Sequence, residues 1–390
     1  MRGSSATLVR EGRVLTPEGW RVARLEADGP RISSVCPLPT REDEPQWPRI
    51  VPGFVDLHCH GSDGIDVMAA HAPEAWEQLS RGLARHGVTA FLATVLTAPL
   101  DVMVAVAPPT VELAGAQCIG VHWEGPYLAP GWAGAQPRAW LRPPDPAEFG
   151  DVLGTRSLAL VTLAPELPGA LRLIGMVRAQ GGWVNVGHSG ATYEDAGRAF
   201  DAGADGVTHA FNAMPPWHHR RPSLLAQAID TPTVWIEAIT DGVHLHPATV
   251  RLLGRAAPGR IVGVTDASRL AGTSEPEGDL GGHPVLVRDG AAWLARQPDT
   301  LAASVLTADQ GVANLIRWGW SWDDAVHAWS SAPAQRMGFH DRGRLAVGAR
   351  ADWVVLSDDV QVRETVVGGR VVYRADERTP ARHPSSPVPG

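Results

Sequence analysis

The sequence lacks lysine altogether: its 34 basic residues are all arginine, they stand against 42 acidic residues, and the formal net charge is −8. Enzymes that form a Schiff base through lysine, and P-loop proteins that hold phosphate with one, are therefore excluded. A metal pair bridged by a carbamylated lysine is excluded as well. The arginine-only usage, beside abundant alanine, glycine and proline, is typical of a GC-rich genome rather than of one particular function.

Cysteine, basic stretches and long apolar runs are also scarce. The three cysteines are Cys36, Cys59 and Cys118. They form no CxxC pair, which indicates a reducing compartment and predicts a cytoplasmic location. The first 15 residues have no continuous apolar core, and the most apolar stretch (88–109) is interrupted by Pro99 and Asp101, so we expect neither a signal peptide nor a membrane partner. Because nucleic-acid-binding proteins normally carry a basic face, the acidic balance argues against a nucleic-acid partner.

Short β-rich runs alternate with segments of helical spacing through the middle of the chain. The predicted strands are Ile50–Leu57, Val88–Val95, Cys118–Trp123, Leu158–Leu163, Trp183–Gly187, Gly206–Thr208, Thr233–Ile239 and Arg260–Thr265. Eight strands that alternate with helices predict an α/β fold, a (β/α)8 TIM-like barrel. A doubly wound sheet is the alternative, but it more often carries a glycine-rich first turn, which this sequence lacks.

The two chain ends differ from the middle, because both contain short strand-like runs and little helical spacing. Gly368–Gly369 is typical of a hairpin turn near the carboxyl end. We predict that residues 1–49 and 343–378 together form a small β-sandwich domain beside a barrel of residues 50–342. The tail, residues 379–390, is predicted to be disordered. A hairpin over Val285–Arg296, around Asp289–Gly290, is predicted as an insertion after the eighth strand.

Histidine and carboxylate residues stand at or just beyond the ends of predicted strands. His58 and His60 share one face of an extended strand and could hold one metal ion. Each histidine alone is more often not a ligand. Together they point to a site, because Glu124, His188, His209 and Asp266 also fall at carboxyl strand ends, where barrel enzymes build active sites. One carboxylate with several histidines suits zinc or a similar divalent ion, and Asp266 suits a general base acting on metal-activated water, whose pKa falls toward ~7.

Several motifs are similar to those of one enzyme family. They are PGFVDLHCHG, GVHWEGPYLAP, VGHSGATYEDA, THAFNAMPP, ITDGVHLHP and VTDAS. Together they resemble the amidohydrolase superfamily and, within it, the N-acetylglucosamine-6-phosphate deacetylase family. The resemblance implies hydrolysis of the acetamido group of N-acetylglucosamine 6-phosphate to glucosamine 6-phosphate and acetate. It also implies that Glu124, His188 and His209 bind a principal metal ion, most simply zinc, that His58 and His60 hold a second ion where one is kept, and that Asp266 is the catalytic acid/base.

The resemblance also implies a set of substrate-binding residues. Asn212 and Ala213 match the loop that holds the sugar phosphate, and His244 matches a substrate-contacting histidine. Arg220 matches an arginine that binds phosphate, in many members from the partner subunit of a homodimer, which suits the strong hydrogen bonds of guanidinium to phosphate. The remaining candidates are Ala135, Gln136, Asp241, Leu301 and Ala303.

Some residues depart from the family pattern and leave the substrate open. Gln136 stands where the family usually has a histidine that helps polarise the scissile carbonyl, and a glutamine can donate a hydrogen bond but carries no charge. The alternatives are therefore a deacetylase of another N-acyl amino-sugar phosphate, such as N-acetylgalactosamine 6-phosphate, or another amidohydrolase, such as an aminoacylase or a cyclic-amide hydrolase. A sugar-phosphate sensor without turnover is a third reading, against which the retained Asp266 argues.

Overall fold

A computed structural model describes residues 7–39, 47–152 and 158–376. The predicted disordered tail, residues 379–390, lies outside the described residues. Within those ranges, no helix is both long and apolar enough to cross a membrane.

The centre of the fold is a sheet of eight parallel strands. They are Phe54–Cys59, Val88–Leu96, Gln117–Glu124, Leu158–Leu163, Trp183–Val186, Gly206–Val207, Trp235–Ile239 and Ile261–Val264, paired in chain order. The sheet closes where the backbone N–H of Asp266 donates to the carbonyl of His58 (2.8 Å) and that of His60 donates to the carbonyl of Ala267 (2.9 Å). The predicted barrel is thus confirmed. Its strands read as continuous apolar runs because helices cover their outer faces.

Helices surround the barrel. Their bounds are Pro73–Arg85, Leu100–Ala105, Pro146–Val152, Ala170–Ala179, Tyr193–Asp201, Leu224–Asp230, Pro247–Ala256, Ala308–Arg317, Trp322–Trp329 and Ser331–Arg336. The first shows the pattern, since Trp76, Leu79 and Leu83 are buried at helical spacing and Pro73 occupies its first turn, where a missing N–H costs nothing. Single 3-10 turns cover Val67–Ala69, Pro130–Trp132 and Arg138–Trp140, and a short ribbon pairs Gly61–Ser62 with Ile65–Asp66.

The two chain ends combine in one seven-stranded sheet. In sheet order its strands are Arg370–Arg374, Val362–Val367, Trp353–Leu356, Arg49–Pro52, Leu8–Thr16, Gly19–Asp28 and Arg31–Pro37. Ile32 from the edge strand and Trp353 from the centre belong to the same buried cluster, so the sheet curves around its own core. Gly368 and Gly369 both have positive φ (56° and 75°), as the predicted hairpin requires.

The first predicted strand is in fact two strands. Arg49–Pro52 pairs with the terminal sheet, and Phe54–Cys59 opens the barrel. The apolar pattern runs through both strands because both are buried. The two strands are distinguished by the strands they pair with and not by their hydrophobicity. The division into domains at residues 50 and 343 stays a prediction, with the strand Arg49–Pro52 on the side of the terminal sheet.

The insertion after the eighth barrel strand is a four-stranded antiparallel sheet rather than a single hairpin. Its strands are Glu277–Leu280, His283–Arg288, Ala291–Leu294 and Leu301–Ser304. The predicted turn at Asp289–Gly290 is present, with φ of 52° and 83°. Because the N–H of Ser304 donates to the carbonyl of Asp266 (2.8 Å), the last of these strands lies directly beside the rim of the barrel.

Candidate metal centre

Three side chains of the predicted site are aimed by an unusual backbone. His188, His209 and Asp266 have φ of 46°, 27° and 49°, a left-handed region that residues other than glycine rarely adopt. Each lies two positions beyond the end of its barrel strand. Strain of this kind persists where the surrounding structure enforces it and clusters at functional sites, so the barrel rim has the character of a constructed site.

Glu124, His188 and His209 form one compact group of possible metal ligands. Glu124 Oε1 lies 2.9 Å from His188 Nε2 and 3.0 Å from His209 Nε2, and the two nitrogens are 3.1 Å apart. Ligands of a tetrahedral zinc ion, at about 2.0–2.1 Å from the metal, lie about 3.4 Å from one another. The donor set and its spacing therefore fit a divalent metal ion with little movement.

His58, His60 and Asp266 form a second group next to the first. The two Nε2 atoms are 3.3 Å apart, and Asp266 Oδ1 lies 3.4 Å from that of His58 and 3.1 Å from that of His60. Glu124 stands between the groups, because its Oε2 is 3.4 Å from His60 Nε2 and its Oε1 is 3.6 Å from His58 Nε2. A carboxylate in this place could bridge two metal ions. A carbamylated lysine cannot do so here, because the chain has no lysine.

Charge complementarity shifts the pKa values of these groups in opposite directions. Burial alone would raise the pKa of Glu124, but His58 and His188 hold it well below its usual value. Burial would likewise lower the pKa of His60, yet Asp266 and Glu124 raise it to about 9. The pKa of Asp266, which burial would raise, is lowered by His58 and His60. The centre thus attracts positive charge, and a metal ion bound there would displace the extra proton that His60 otherwise holds.

Outer hydrogen bonds orient three of the four imidazoles. His60 Nδ1 lies 3.2 Å from the carbonyl of Thr94, and His188 Nδ1 lies 2.9 Å from that of Trp132. A carbonyl can only accept, so each Nδ1 carries a proton and each Nε2 is the nitrogen that can bind a metal ion. His58 Nδ1 faces a carboxylate, that of Glu237, at 3.2 Å. His209 Nδ1 is buried and has no partner among the described residues.

Gln136 lies inside the centre rather than beside it. Its Oε1 accepts the backbone N–H of Thr97 at 2.9 Å, which fixes the orientation of the amide, and its Nε2 therefore donates to Glu124 Oε2 at 2.6 Å. The side chain is 4% exposed. The glutamine that departs from the family pattern thus holds the central carboxylate, a contact that its position in the sequence did not predict.

The other predicted substrate residues surround the same rim. A Cβ on Gly134 would lie 3.4 Å from His188 Cε1 and 3.9 Å from Ala213 Cβ, so the loop that carries Ala135 packs against both. The amide of Asn212 donates to two carbonyls of its own loop, at 3.2 and 3.1 Å. Leu301 and Ala303 lie on the strand that ends beside Asp266, with Ala303 fully buried.

Asp241 and His244 form a tight pair at this rim. Asp241 Oδ2 lies 2.6 Å from His244 Nδ1, and its Oδ1 accepts the backbone N–H of His244 at 2.8 Å. Burial would lower the pKa of His244, but Asp241 and then Asp266 raise it. His244 is therefore a candidate cationic hydrogen-bond donor close to Asp266.

Arg220 does not join this cluster within one chain. It is exposed, and its Nη1 lies 2.8 Å from Nε2 of the neighbouring His219. Trp217 on the same loop is 51% exposed. The phosphate contact of Arg220 stays a prediction.

Comparison with known proteins places this geometry in a family. The model of the amidohydrolase family matches residues 49–372. The chain belongs to the amidohydrolase family. It is 36% identical to N-acetylglucosamine-6-phosphate deacetylase from Bos taurus, over 95% of this chain and 92% of that protein. It is 35% identical to N-acetylgalactosamine-6-phosphate deacetylase from Escherichia coli O157:H7, over 93% of this chain and 98% of that protein.

A solved structure agrees with these relatives. A mutant of N-acetyl-D-glucosamine-6-phosphate deacetylase from Mycobacterium smegmatis, in complex with N-acetyl-D-glucosamine-6-phosphate, superimposes with a TM-score of 0.84 at 32% identity. The alignment covers 95% of this chain and 100% of that one. The predicted resemblance to this branch of the amidohydrolases is confirmed.

Several polar residues below the rim of this amidohydrolase escaped the sequence analysis. Asp56 accepts the hydroxyl of Thr265 at 2.6 Å and joins the first and eighth strands. The sequence contained a pattern that could have identified two of these residues. Asp56 lies two positions before His58 on the same strand face, and a charged residue such as Glu237 is unusual within an apolar strand. Their hydrogen-bond partners lie on distant strands, and no pattern in the sequence identifies them.

Proposed function

We propose that this chain is an N-acetylglucosamine-6-phosphate deacetylase, which hydrolyses the acetamido group of its substrate to give acetate and glucosamine 6-phosphate. The observation that carries the proposal is the position of Asp266: its Oδ1 lies 3.1 Å from His60 Nε2 and 3.4 Å from His58 Nε2, at the edge of two adjoining groups of metal donors. A general base must lie within hydrogen-bond reach of the water it activates. Relatives with this activity in their names match nearly the whole chain.

The donors suit one or two divalent ions, and zinc is the proposed metal. Glu124, His188 and His209 would hold the principal ion, and His58 and His60 with Asp266 the second. Such an ion acidifies water toward a pKa of about 7 and polarises a carbonyl group. Imidazole and carboxylate donors in a four-ligand arrangement are typical of zinc.

The remaining steps fall to side chains of the chain itself. Asp266 accepts the proton of the attacking water and returns it to the amine nitrogen as the C–N bond breaks. His244, whose pKa Asp241 raises, supplies a cationic donor near Asp266. Gln136 holds Glu124 in place through its 2.6 Å hydrogen bond, and its second N–H remains for the substrate.

Substrate phosphate is proposed to bind Arg220, with Asn212 and Ala213 holding the sugar-phosphate end. Because Arg220 is exposed on its own subunit, this contact fits a homodimer in which the arginine reaches the neighbouring active site. We further propose a cytoplasmic location, which the free cysteines favour.

The direct test is release of acetate from N-acetylglucosamine 6-phosphate by the purified, zinc-loaded protein, with Asp266→Asn as the inactive control. Absence of acetate from a protein with zinc bound would refute the proposal. Unphosphorylated N-acetylglucosamine in the same assay measures what the phosphate contributes, and Arg220→Ala should raise KM for the phosphorylated sugar alone.

N-acetylgalactosamine 6-phosphate is the second candidate substrate. Two observations favour testing it: the 35% identity to N-acetylgalactosamine-6-phosphate deacetylase from Escherichia coli O157:H7, and Gln136 in the centre. The ratio of kcat/KM for the two epimers decides between them.

A further inference from the structure

A line of buried polar side chains runs through the barrel and ends at one candidate metal ligand. Arg336 Nη2 lies 2.5 Å from Asn185 Oδ1, Asn185 Nδ2 lies 2.6 Å from Glu237 Oε1, and Glu237 Oε2 lies 3.2 Å from His58 Nδ1. All four side chains are at most 1% exposed. Arg336 also bonds to Asp205, which directly precedes the sixth strand, whereas His58 lies at the carboxyl end of the first. The line therefore spans the barrel from the amino ends of its strands to the site.

The chemistry of Arg336 fixes the direction of every bond in this line. A guanidinium group can only donate, so Asn185 Oδ1 must accept and Asn185 Nδ2 must donate to Glu237. The second oxygen of the Glu237 carboxylate then accepts the Nδ1 proton of His58. His58 Nε2, which faces His60 and Asp266, is consequently the nitrogen that remains for a metal ion.

Gly206 keeps the space for this line. It pairs with Asn185 across adjacent strands, and a Cβ at Gly206 would lie 2.1 Å from Asn185 Oδ1 and 2.7 Å from Arg336 Nη2. Its φ is outside the positive range, so the backbone would accept another residue there. The glycine is needed for the close approach of two side chains rather than for its conformational freedom.

The four imidazoles of the centre differ in the group that faces their Nδ1 atom. His60 and His188 face neutral carbonyls, and His209 Nδ1 has no partner among the described residues, whereas His58 faces a carboxylate. A carboxylate behind an imidazole raises its strength as a ligand and fixes its ring. Of the four imidazoles, His58 therefore has the strongest hydrogen-bond acceptor behind its ring.

We propose that Glu237, oriented by Asn185 and Arg336, is a positioning residue that fixes the ring of His58 as a ligand of the second ion of the proposed function. The inference rests on the metal requirement of the proposed function, but it concerns metal content and needs no substrate.

The test is metal analysis of the whole protein after equilibration with zinc and a graded competing chelator. Wild type should retain two ions per chain. In Glu237→Gln the new amide, still receiving the Asn185 donor on its oxygen, would donate to His58 Nδ1 and force the ring proton onto Nε2. One of the two ions should then bind about 10–100-fold more weakly, the range for loss of such a supporting group, and the other should be unchanged.

Gly206→Ala tests the orientation of the side chains apart from their charge, because it leaves every charged group of the line in place. It should still weaken the binding of the same ion. Glu364→Gln is the matched control: Glu364 is a carboxylate only 5% exposed that accepts from Arg10 and Arg374 in the terminal sheet, and this variant should keep both ions. His58→Asn should lose one ion, and adding Glu237→Gln to it should change metal content no further, as expected for residues that act as one unit.

Circular dichroism identifies a variant that has not folded. If Glu237→Gln does not fold, the metal affinity of Gly206→Ala decides the question in its place. A single ion in wild type, or two equally tight ions in folded Glu237→Gln and Gly206→Ala, would overturn the inference. A protein that follows the expected metal pattern yet releases no acetate keeps this inference and refutes the proposed function instead.

Discussion

Replacing Gln136 by leucine tests if this glutamine supports the central carboxylate. The substitution removes the 2.6 Å hydrogen bond to Glu124, and bonds to charged groups contribute about 1.5–3 kcal/mol. It also leaves the N–H of Thr97, a residue 1% exposed, without its acceptor, which costs about 1–3 kcal/mol. A buried leucine side chain returns about 1.5–3 kcal/mol through apolar burial. The net loss in the free energy of unfolding is therefore about 2 kcal/mol.

Urea unfolding of metal-free protein measures this loss, since bound metal would otherwise add its own stabilisation. Zinc affinity, measured by chelator competition, should fall at least about tenfold because Glu124 is no longer oriented. Gln117→Leu is the control, for Gln117 is half-buried and donates to the carbonyls of Leu113 and Gly115, away from the metal donors. Equal zinc affinity in Gln136→Leu and wild type would refute the reasoning, whatever the change in stability.

Three further predictions concern the acid/base residue, the metal and a partly buried ion pair. Asp266→Asn should lower kcat by about 10²–10⁴-fold, the contribution of a general acid/base, while substrate still binds by calorimetry; an unchanged kcat would remove Asp266 from the mechanism. Stripping the metal with a chelator should abolish acetate release and lower Tm, and added zinc should restore both. In the His86–Asp309 pair (3.1 Å), burial would lower the pKa of His86 and raise that of Asp309, but each partner reverses the shift of the other. The stability lost in Asp309→Asn should be greatest between about pH 4 and pH 6.5, shrink above that window as His86 loses its proton, and shrink below it as Asp309 gains one; a difference independent of pH would contradict the assignment.

The sequence was informative wherever a local pattern carries the structure. Alternating strands and helices predicted the barrel. Barrel sites form at the carboxyl ends of strands, and this rule alone predicted that Glu124, His188, His209 and Asp266 lie together. These residues do converge in the structure. Their roles as ligands and as acid/base stay predictions.

Contacts between distant segments could not be predicted in the same way. The bond from Gln136 to Glu124 depends on how a loop folds back over the rim, and Arg336 reaches Asn185 from a helix about 150 positions later in the chain. The split of residues 49–59 into two strands depends on their partners, because both halves are buried and apolar alike. Periodicity reports which face of a segment is buried, but it does not identify the segment that covers it.

The terminal sheet constrains the order in which the chain can fold during synthesis. Its central strand, Arg49–Pro52, pairs on one side with Leu8–Thr16, which leaves the ribosome earlier, and on the other with Trp353–Leu356, which leaves about 300 residues later. Until those last strands emerge, Ile50 and Val51 lie beside an open sheet edge that can pair with another nascent chain. Completion of the sheet therefore comes after the barrel strands are made, and a chain truncated before residue 353 would carry that edge permanently.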